Sequence, residues 1–174
     1  SRGSEDARKK FIASICNDIL PKIAEEQLAD YCDVFCDRGA FTMEESRKVL
    51  QAATDLGFKL RVHANEFGHT GGALVAAEFS AASADHLLYL NDEERKALHD
   101  AKVIATLLPG TSTILGKPFA DGRALIGAKI AVAVATDCNP GSCPMENLAM
   151  VLAMACYGCH LSPAEAICAA THNA

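Results

Sequence analysis

The 174-residue sequence has no excess of positive charge and no long uninterrupted apolar run. Its formal net charge at pH 7 is -6, so it provides no basic field for a phosphate backbone, and we expect no nucleic acid as a partner. The longest apolar stretch, residues 148–161, is too short to span a bilayer and is interrupted by Gly158 and His160. We therefore expect no membrane partner and interpret this stretch as a buried helix.

The sequence does not open with a basic segment followed by an apolar run, as a secretory signal would. It therefore predicts a cytoplasmic protein, in which thiols stay reduced. Most of the eight cysteines lie among alanine, valine, leucine and methionine. Because free cysteine behaves as a small buried hydrophobe, we expect reduced structural cysteines and no disulfides.

One cysteine pattern is typical of a different function. Cys156-Tyr-Gly-Cys159-His160 matches the C-x-x-C-H sequence of c-type haem attachment. Here it lies within an apolar helical pattern, and so short a motif arises readily by chance in a cysteine-rich chain. Thioredoxin-like motifs open a helix after a strand, whereas this one closes a helix. We expect neither a haem nor a redox role for it.

Five apolar runs alternate with helical patterns along the chain. Near-continuous apolar runs are typical of parallel strands that are buried on both faces. The alternation predicts an α/β fold with right-handed crossovers, either an open doubly wound sheet or a (β/α)8 barrel of the TIM type. A complete barrel needs about 250 residues, so this chain would hold five of its eight strands. The predicted strands are residues 31–36, 59–63, 83–88, 103–109 and 130–137.

Capping residues predict the helices between these strands. Thr42 and Glu45 form a capping-box pattern at the start of one helix, which should end at Gly57. Asn91 opens another helix in the same way. The predicted helices are residues 5–29 (kinked or divided at Pro21), 42–56, 70–82, one beginning at 91, 118–127, 144–159 and 162–174.

Polar side chains stand at the carboxyl ends of three predicted strands. His63 ends the second strand, and Glu66 follows three residues later. Asp85 and His86 lie in or at the end of the third strand, and Asp137 lies at the end of the fifth. Ligands bind at that edge of parallel α/β sheets, where imidazole and carboxylate groups can converge on one divalent metal that also holds water.

Each of these residues also has an ordinary structural interpretation. A histidine at a strand end is often a hydrogen-bonded structural residue. Asp137 could start a turn, and Glu66 could be a solvated loop charge. Their joint position at one edge of successive strands favours a functional site.

Five segments around these strand ends form a distinctive set. They are Asp33-Val-Phe-Cys-Asp-Arg-Gly-Ala-Phe41, Arg61-Val-His-Ala-Asn-Glu-Phe67, Ser83-Ala-Asp-His86, Ala105-Thr-Leu-Leu-Pro-Gly-Thr-Ser112 and Ala135-Thr-Asp-Cys-Asn-Pro-Gly-Ser142. In this order and spacing they resemble imidazolonepropionase, a family of the amidohydrolase superfamily that acts in histidine breakdown. The His-x-x-Glu piece is shared with nucleobase deaminases, whereas the last two segments are more specific.

The resemblance implies a role for each strand-end residue. His63 and Asp137 would be metal ligands, and the metal would be zinc or iron. His86 would help to activate the water, and Glu66 would contact the imidazolone ring, so His86, Glu66 and Asp137 would be catalytic. The implied reaction hydrolyses the cyclic amide 4-imidazolone-5-propanoate to N-formimino-L-glutamate. The residues implied to hold the substrate are Glu66, Asn139, Gly141 and Ser142.

Two features depart from the family pattern. Asn65 stands where the family usually has aspartate, a neutral change beside the site. No His-x-His pair occurs in the sequence, although the family takes two metal ligands from such a pair. The resemblance therefore implies that residues 1–174 are the C-terminal portion of a barrel domain, about strands 4 to 8, without the first strands and the flanking β subdomain. We expect this piece alone to be inactive and the complete enzyme to be a homodimer acting on a small molecule.

Two other functions remain open on the sequence alone. The same His-x-x-Glu, histidine and aspartate set would serve an aminohydrolase of a nucleobase-like ring, and substrate assays on the complete protein would separate the two reactions. A non-catalytic fragment with a structural or interaction role is the third possibility. The presence of His-x-His in upstream coding sequence would decide against it.

Overall fold

In the computed structural model, which describes residues 5–174, five strands form one parallel sheet in sequential order. Parallel neighbours need crossover connections, and helices supply them here. This confirms the predicted α/β fold. The proposed domain begins at residue 1, and residues 1–4 lie outside the described part. The strands are β1 Tyr31–Cys36, β2 Lys59–Ala64, β3 Ser83–His86, β4 Ile104–Leu107 and β5 Val132–Val134.

The helices connect the strands and cover one side of the sheet. Both predicted capping residues act as such: Thr42 accepts from the Glu45 amide at 3.2 Å, and Asn91 accepts from the Glu94 amide at 2.9 Å. The helices are α1 Glu5–Ser14, α2 Leu20–Glu25, α3 Met43–Asp55, α4 Gly72–Glu78, α5 Asp92–Asp100, α6 Pro109–Ile114, α7 Gly122–Gly127, α8 Leu148–Gly158 and α9 Pro163–Ala169.

The leading helix, predicted as residues 5–29, is shorter and is interrupted by a π-helical turn, Ile15–Ile19. In this turn the Leu20 amide donates to the Ile15 carbonyl, five residues earlier. Pro21 follows at the start of α2. Because proline has no amide hydrogen and its ring crowds the preceding turn, the wider turn lets the helix continue past it.

Three predicted boundaries that depended on prolines were wrong. The strand predicted to end at Pro109 ends at Leu107, and Pro109 instead opens the unpredicted α6, because its fixed φ suits a first helical turn. The helices predicted from Pro118 and Pro144 begin later. They start after Asp121 and Asn147, whose side chains accept backbone amides at 2.9 Å and 3.1 Å. The third and fifth strands are also shorter than predicted.

The strand register determines which side chains share a face. His63 lies beside Phe35 of β1 and Asp85 of β3. Since side chains alternate along a strand, Leu60, Val62 and Ala64 face the helices, while Arg61 and His63 face the opposite side. That opposite face, at its carboxyl edge, is where the candidate site lies.

The helices pack closely against the end of the sheet nearest the site. At Gly72, the first residue of α4, an added Cβ would lie 2.7 Å from the Cys36 carbonyl oxygen and 3.0 Å from the Ala64 Cα. Both contacts are with backbone, which cannot move aside cheaply. Glycine at this position therefore fixes the distance between α4 and the first two strands.

The eight cysteines are free, as expected. Cys156 lies within α8 and Cys159 ends it, so the C-x-x-C-H pattern occupies a helix terminus. Burial raises the pKa of the Cys159 thiol to about 12, which keeps it protonated and unreactive. Along residues 5–174, every helix is too short or too polar to cross a bilayer.

Candidate metal centre and active site

Four predicted site residues meet at the carboxyl edge of the sheet. The rings of His63 and His86 have centroids 5.2 Å apart. The His86 Nε2 atom lies 3.7 Å from a Glu66 carboxylate oxygen and 4.0 Å from the Asp137 Oδ2 atom. The structure therefore brings together side chains that are up to 74 positions apart, the difference between residues 137 and 63.

Three of these side chains could hold a metal ion together. One ligand atom each from His63, His86 and Asp137 lies within 4.8 Å of the others. Two imidazoles and one carboxylate are a donor set that suits zinc or iron, and it is too rich in nitrogen for magnesium or calcium. The donor chemistry thus fits the kind of metal expected from the sequence.

Backbone conformation helps to aim these side chains. Asn65, His86 and Asp137 have φ angles of 53°, 74° and 54°, in the left-handed region. Alternation along β3 alone would place His86 on the helix side of the sheet. The left-handed turn instead brings its ring next to His63 on the site side. Such conformations cost about 1–3 kcal/mol each and are concentrated at functional sites.

His63 is held by a carboxylate on the neighbouring strand. Its Nδ1 atom lies 2.9 Å from Asp33 Oδ2, and Asp85 Oδ2 is 3.9 Å away. Burial works to lower the pKa of His63, but the hydrogen bond to Asp33 and the nearby carboxylates outweigh burial and raise it. The ring is therefore oriented by the carboxylates around it.

His86 has the opposite electrostatic setting. It is 3% exposed, and burial, followed by the positive charge of His63, lowers its pKa to about 4. The carboxylate of Asp137 works against this shift without reversing it. His86 is thus a neutral imidazole near pH 7, the form that can ligate a cation or accept a proton.

Glu66 is a buried carboxyl group whose pKa is raised. Burial is the largest cause, the charges of Asp137 and Asp37 add to it, and the pKa reaches about 7. Asp37 also fixes the loop that carries Glu66, because its Oδ2 accepts the amides of Glu66 at 2.6 Å and Phe67 at 3.0 Å. A carboxyl group with this pKa can both donate and accept a proton at neutral pH.

The Asp137 side chain is positioned by α6, where the Thr111 hydroxyl donates a short hydrogen bond to Asp137 Oδ2. The following residues form one turn: the Asn139 Oδ1 atom accepts the amides of Gly141 at 2.9 Å and Ser142 at 2.7 Å. Its Nδ2 donates to the Asp137 carbonyl at 2.7 Å. These groups bond within the turn beside Asp137, so their role in holding substrate stays a prediction.

Asn65, the departure from the family pattern, has a structural explanation. Its side chain is buried, and Nδ2 donates to Glu94 Oε1 and to the Tyr89 carbonyl, each at 2.7 Å. The Oδ1 atom accepts the Ala73 amide at 3.2 Å. Because Glu94 is a buried acceptor, the partner facing it must be a donor, and asparagine supplies one where aspartate would not.

Sequence reasoning missed three residues of this site: Asp33, Asp37 and Thr111. Asp33 stands within an otherwise apolar strand, and a charge in such a strand must find a partner. That signal was present in the sequence and could have identified Asp33. Asp37 and Thr111 lie in the segments that carry the resemblance, but nothing local marks their partners.

Comparisons with known proteins agree with the motifs. The chain is 50% identical over 165 residues to a protein of Clostridium tetani named imidazolonepropionase, which covers 95% of this chain and 39% of that protein. It is 48% identical over 172 residues to the Phocaeicola vulgatus protein of the same name, with 99% and 41% covered. The chain thus spans about two fifths of these relatives. No protein-family model matches it. The sequence resemblance is confirmed.

A solved structure supports the fold independently. An amidohydrolase from an environmental sample of the Sargasso Sea aligns with a TM-score of 0.70 and 16% identity, over 93% of this chain and 40% of that one. At this identity the likeness concerns the fold alone. The five-stranded parallel sheet with its helices therefore has the same fold as part of that larger protein, in agreement with the predicted partial barrel.

Proposed function

Because the chain is similar to imidazolonepropionases over nearly its whole length, we propose that it is the C-terminal portion of such an enzyme, residues 1–174 forming about barrel strands 4 to 8. The reaction is the metal-dependent hydrolysis of 4-imidazolone-5-propanoate to N-formimino-L-glutamate in histidine degradation. One observation carries the proposal: His63, Glu66, His86 and Asp137 meet at one sheet edge, within the segments that carry the resemblance.

His63 and Asp137 would hold the metal, which is zinc or iron, and the His86 ring lies beside them with its free nitrogen available to accept a proton. When bound, the metal makes water more acidic and polarises the ring carbonyl. With His86 kept free as the proton acceptor, residues 5–174 supply two ligands, His63 and Asp137, whereas a catalytic site of this type takes at least three protein ligands. We therefore expect weak metal binding and no turnover from this piece alone.

The remaining chemistry belongs to the side chains. His86, neutral near pH 7, accepts the proton from water as its oxygen adds to the ring carbonyl carbon. The carbon–nitrogen bond of the ring then breaks. Glu66, whose pKa is about 7, delivers a proton to the departing nitrogen. The turn of Asn139, Gly141 and Ser142 borders the substrate, and Glu66 contacts the ring.

The proposal also covers the substrate type, cellular compartment and oligomeric state of the complete enzyme. It acts on a small molecule in the cytoplasm and assembles as a homodimer. The net charge of -6 supports a small-molecule partner over nucleic acid.

The test uses the complete enzyme that contains this chain, with product formation as the measurement. Replacing His86 by alanine should lower kcat by about a hundredfold or more, the usual scale for general acid–base catalysis. The matched control is His99→Ala, since His99 lies on the exposed face of α5 beside Asp100. Unchanged turnover in His86→Ala contradicts the role. Release of ammonia from a nucleobase-like ring, with no N-formimino-L-glutamate formed, would establish the deaminase alternative.

A further inference from the structure

Two carboxylates approach the same nitrogen of His63 from the strands on either side of β2. Asp33 belongs to β1 and Asp85 to β3. The His63 Nδ1 atom is 2.9 Å from Asp33 and 3.9 Å from Asp85. Only the first distance is that of a hydrogen bond.

Asp85 is already engaged by other partners. Its Oδ1 atom accepts the Ser83 hydroxyl at 2.9 Å, and its Oδ2 atom accepts an Arg61 guanidinium nitrogen at 3.1 Å. Asp85 is also only 2% exposed, so its negative charge is balanced by the Arg61 guanidinium and not by water. Asp33 differs: its side chain is 41% exposed and its carboxylate hydrogen-bonds to His63. Asp33 is therefore the acceptor for Nδ1.

A neutral imidazole carries one hydrogen, on either Nδ1 or Nε2. When a carboxylate accepts the hydrogen from Nδ1, Nε2 keeps the lone pair that a cation needs. We infer that Asp33 is a positioning residue, which fixes His63 as the Nδ1–H tautomer and leaves Nε2 to the cation that His63 shares with Asp137. The effect on metal affinity rests on the proposed function, whereas the tautomer does not.

The alternative is that Asp33, His63 and Asp85 hold a cation of their own, since one ligand atom of each lies within 4.8 Å of the others. Two features oppose it. Both oxygens of Asp85 are occupied, by Ser83 and Arg61. The Arg61 guanidinium would also repel a second positive charge at that distance. A positioning role for Asp33 requires neither a free oxygen on Asp85 nor a cation next to Arg61.

The first measurement is the tautomer of His63 by nitrogen-15 NMR on the 174-residue chain without metal, at a pH where the ring is neutral. The His63 signals are assigned by their loss in His63→Gln. We expect the Nδ1–H tautomer in the wild type and in Asp33→Asn, because an amide oxygen also accepts a hydrogen bond. Asp33→Ala should shift the ring towards Nε2–H. Asp30→Asn removes the same charge just before β1, at the opposite edge of the sheet from the site, and should leave the tautomer unchanged.

The second measurement is the affinity for Co²⁺, which is monitored through the visible absorption bands of the bound ion. Removing an orienting carboxylate weakens metal binding by about 10–100-fold, so Asp33→Ala should show a loss in this range and Asp30→Asn none. A thiolate charge-transfer band would reveal binding to cysteine instead. Circular dichroism checks that each variant is folded. If Asp33→Ala does not fold, Asp33→Asn serves in its place, because it removes the charge and keeps the hydrogen bond.

The outcomes distinguish failure of the positioning role of Asp33 from failure of the proposed metal centre. If Asp33→Ala keeps the Nδ1–H tautomer, the inference is wrong whatever cobalt does. If Asp33→Asn abolishes cobalt binding with the tautomer unchanged, Asp33 is itself a ligand, and the inference is also wrong. If wild-type cobalt binding is the same as in His63→Gln, the proposed metal centre fails, while the tautomer still decides the role of Asp33.

Discussion

Replacing Asn65 by aspartate tests the polar network beneath the candidate site. The Asn65 Nδ2 atom donates to the Glu94 carboxylate and to the Tyr89 carbonyl, each at 2.7 Å. Aspartate has no hydrogen to donate, and it would place a second carboxylate against Glu94. Asn65 is 0% and Glu94 2% exposed, so water cannot replace the lost partner. We expect a large loss of stability.

The size of the loss follows from the two changes together. A hydrogen bond to a charged group contributes about 1.5–3 kcal/mol, and leaving a buried charge without its partner costs about 3–5 kcal/mol. Because these effects overlap, we expect the free energy of unfolding to fall by about 3–5 kcal/mol at pH 7. With a urea slope of about 2 kcal/mol per molar, the unfolding midpoint should fall by about 2 M.

The loss should depend on pH. Two buried carboxylates in contact favour the uptake of a proton, so the folded variant holds a proton that the unfolded chain releases near about pH 4. A folded-state pKa raised in this way means that stability is lost as the pH rises above that value. The gap between Asn65→Asp and the wild type should therefore widen from about pH 4 towards neutrality.

Urea unfolding followed by circular dichroism measures both effects. The matched control is Asn147→Asp at the exposed N-cap of α8, where aspartate caps as well as asparagine and the change should stay within about 0.5 kcal/mol. Adding Glu94→Gln to Asn65→Asp should restore much of the stability, because the new amide can donate to the new carboxylate. An Asn65→Asp variant as stable as the wild type, or no recovery in the double variant, would refute the reasoning.

Two further predictions concern packing and charge. Gly72→Ala should destabilise the protein by about 1–3 kcal/mol, because its Cβ would meet backbone at 2.7 Å and 3.0 Å. Gly127→Ala, with nothing within 4 Å, should be neutral or stabilising, and equal urea midpoints for the two variants would contradict this. The hydrogen bond from Arg8 lowers the pKa of Glu45 to about 2. The stabilisation from Glu45 is therefore present above its unfolded pKa of about 4.3 and is lost as the pH falls towards 2. The stability difference between wild type and Glu45→Gln should shrink over that range, and a constant difference would show that the pair does not contribute.

Local signals in the sequence predicted much of the fold. The caps at Thr42 and Asn91 were correct because a capping side chain bonds within its own first turn. The helix starts at Pro118 and Pro144 were wrong because proline is also tolerated in loops. The side chains of Asp121 and Asn147 determine where those helices begin.

Sequence reasoning found the residues of the candidate site that lie at or just after strand ends. His63 and Asp137 stand at such ends, so sequence reasoning singled them out. The contacts of Asp33 with His63, Asp37 with Glu66, and Thr111 with Asp137 span 30, 29 and 26 residues. They depend on the register of parallel neighbours, which no short stretch of sequence specifies.

The left-handed backbone at His86 and Asp137 sets a limit on how this protein can be made more robust. Glycine would adopt both conformations without the steric penalty that a side chain meets there. Selection of variants for thermal stability alone would thus favour glycine at these positions. Each such substitution would remove an imidazole or a carboxylate from the proposed site. At these two positions, a substitution that raises thermal stability would remove a side chain that the proposed activity needs.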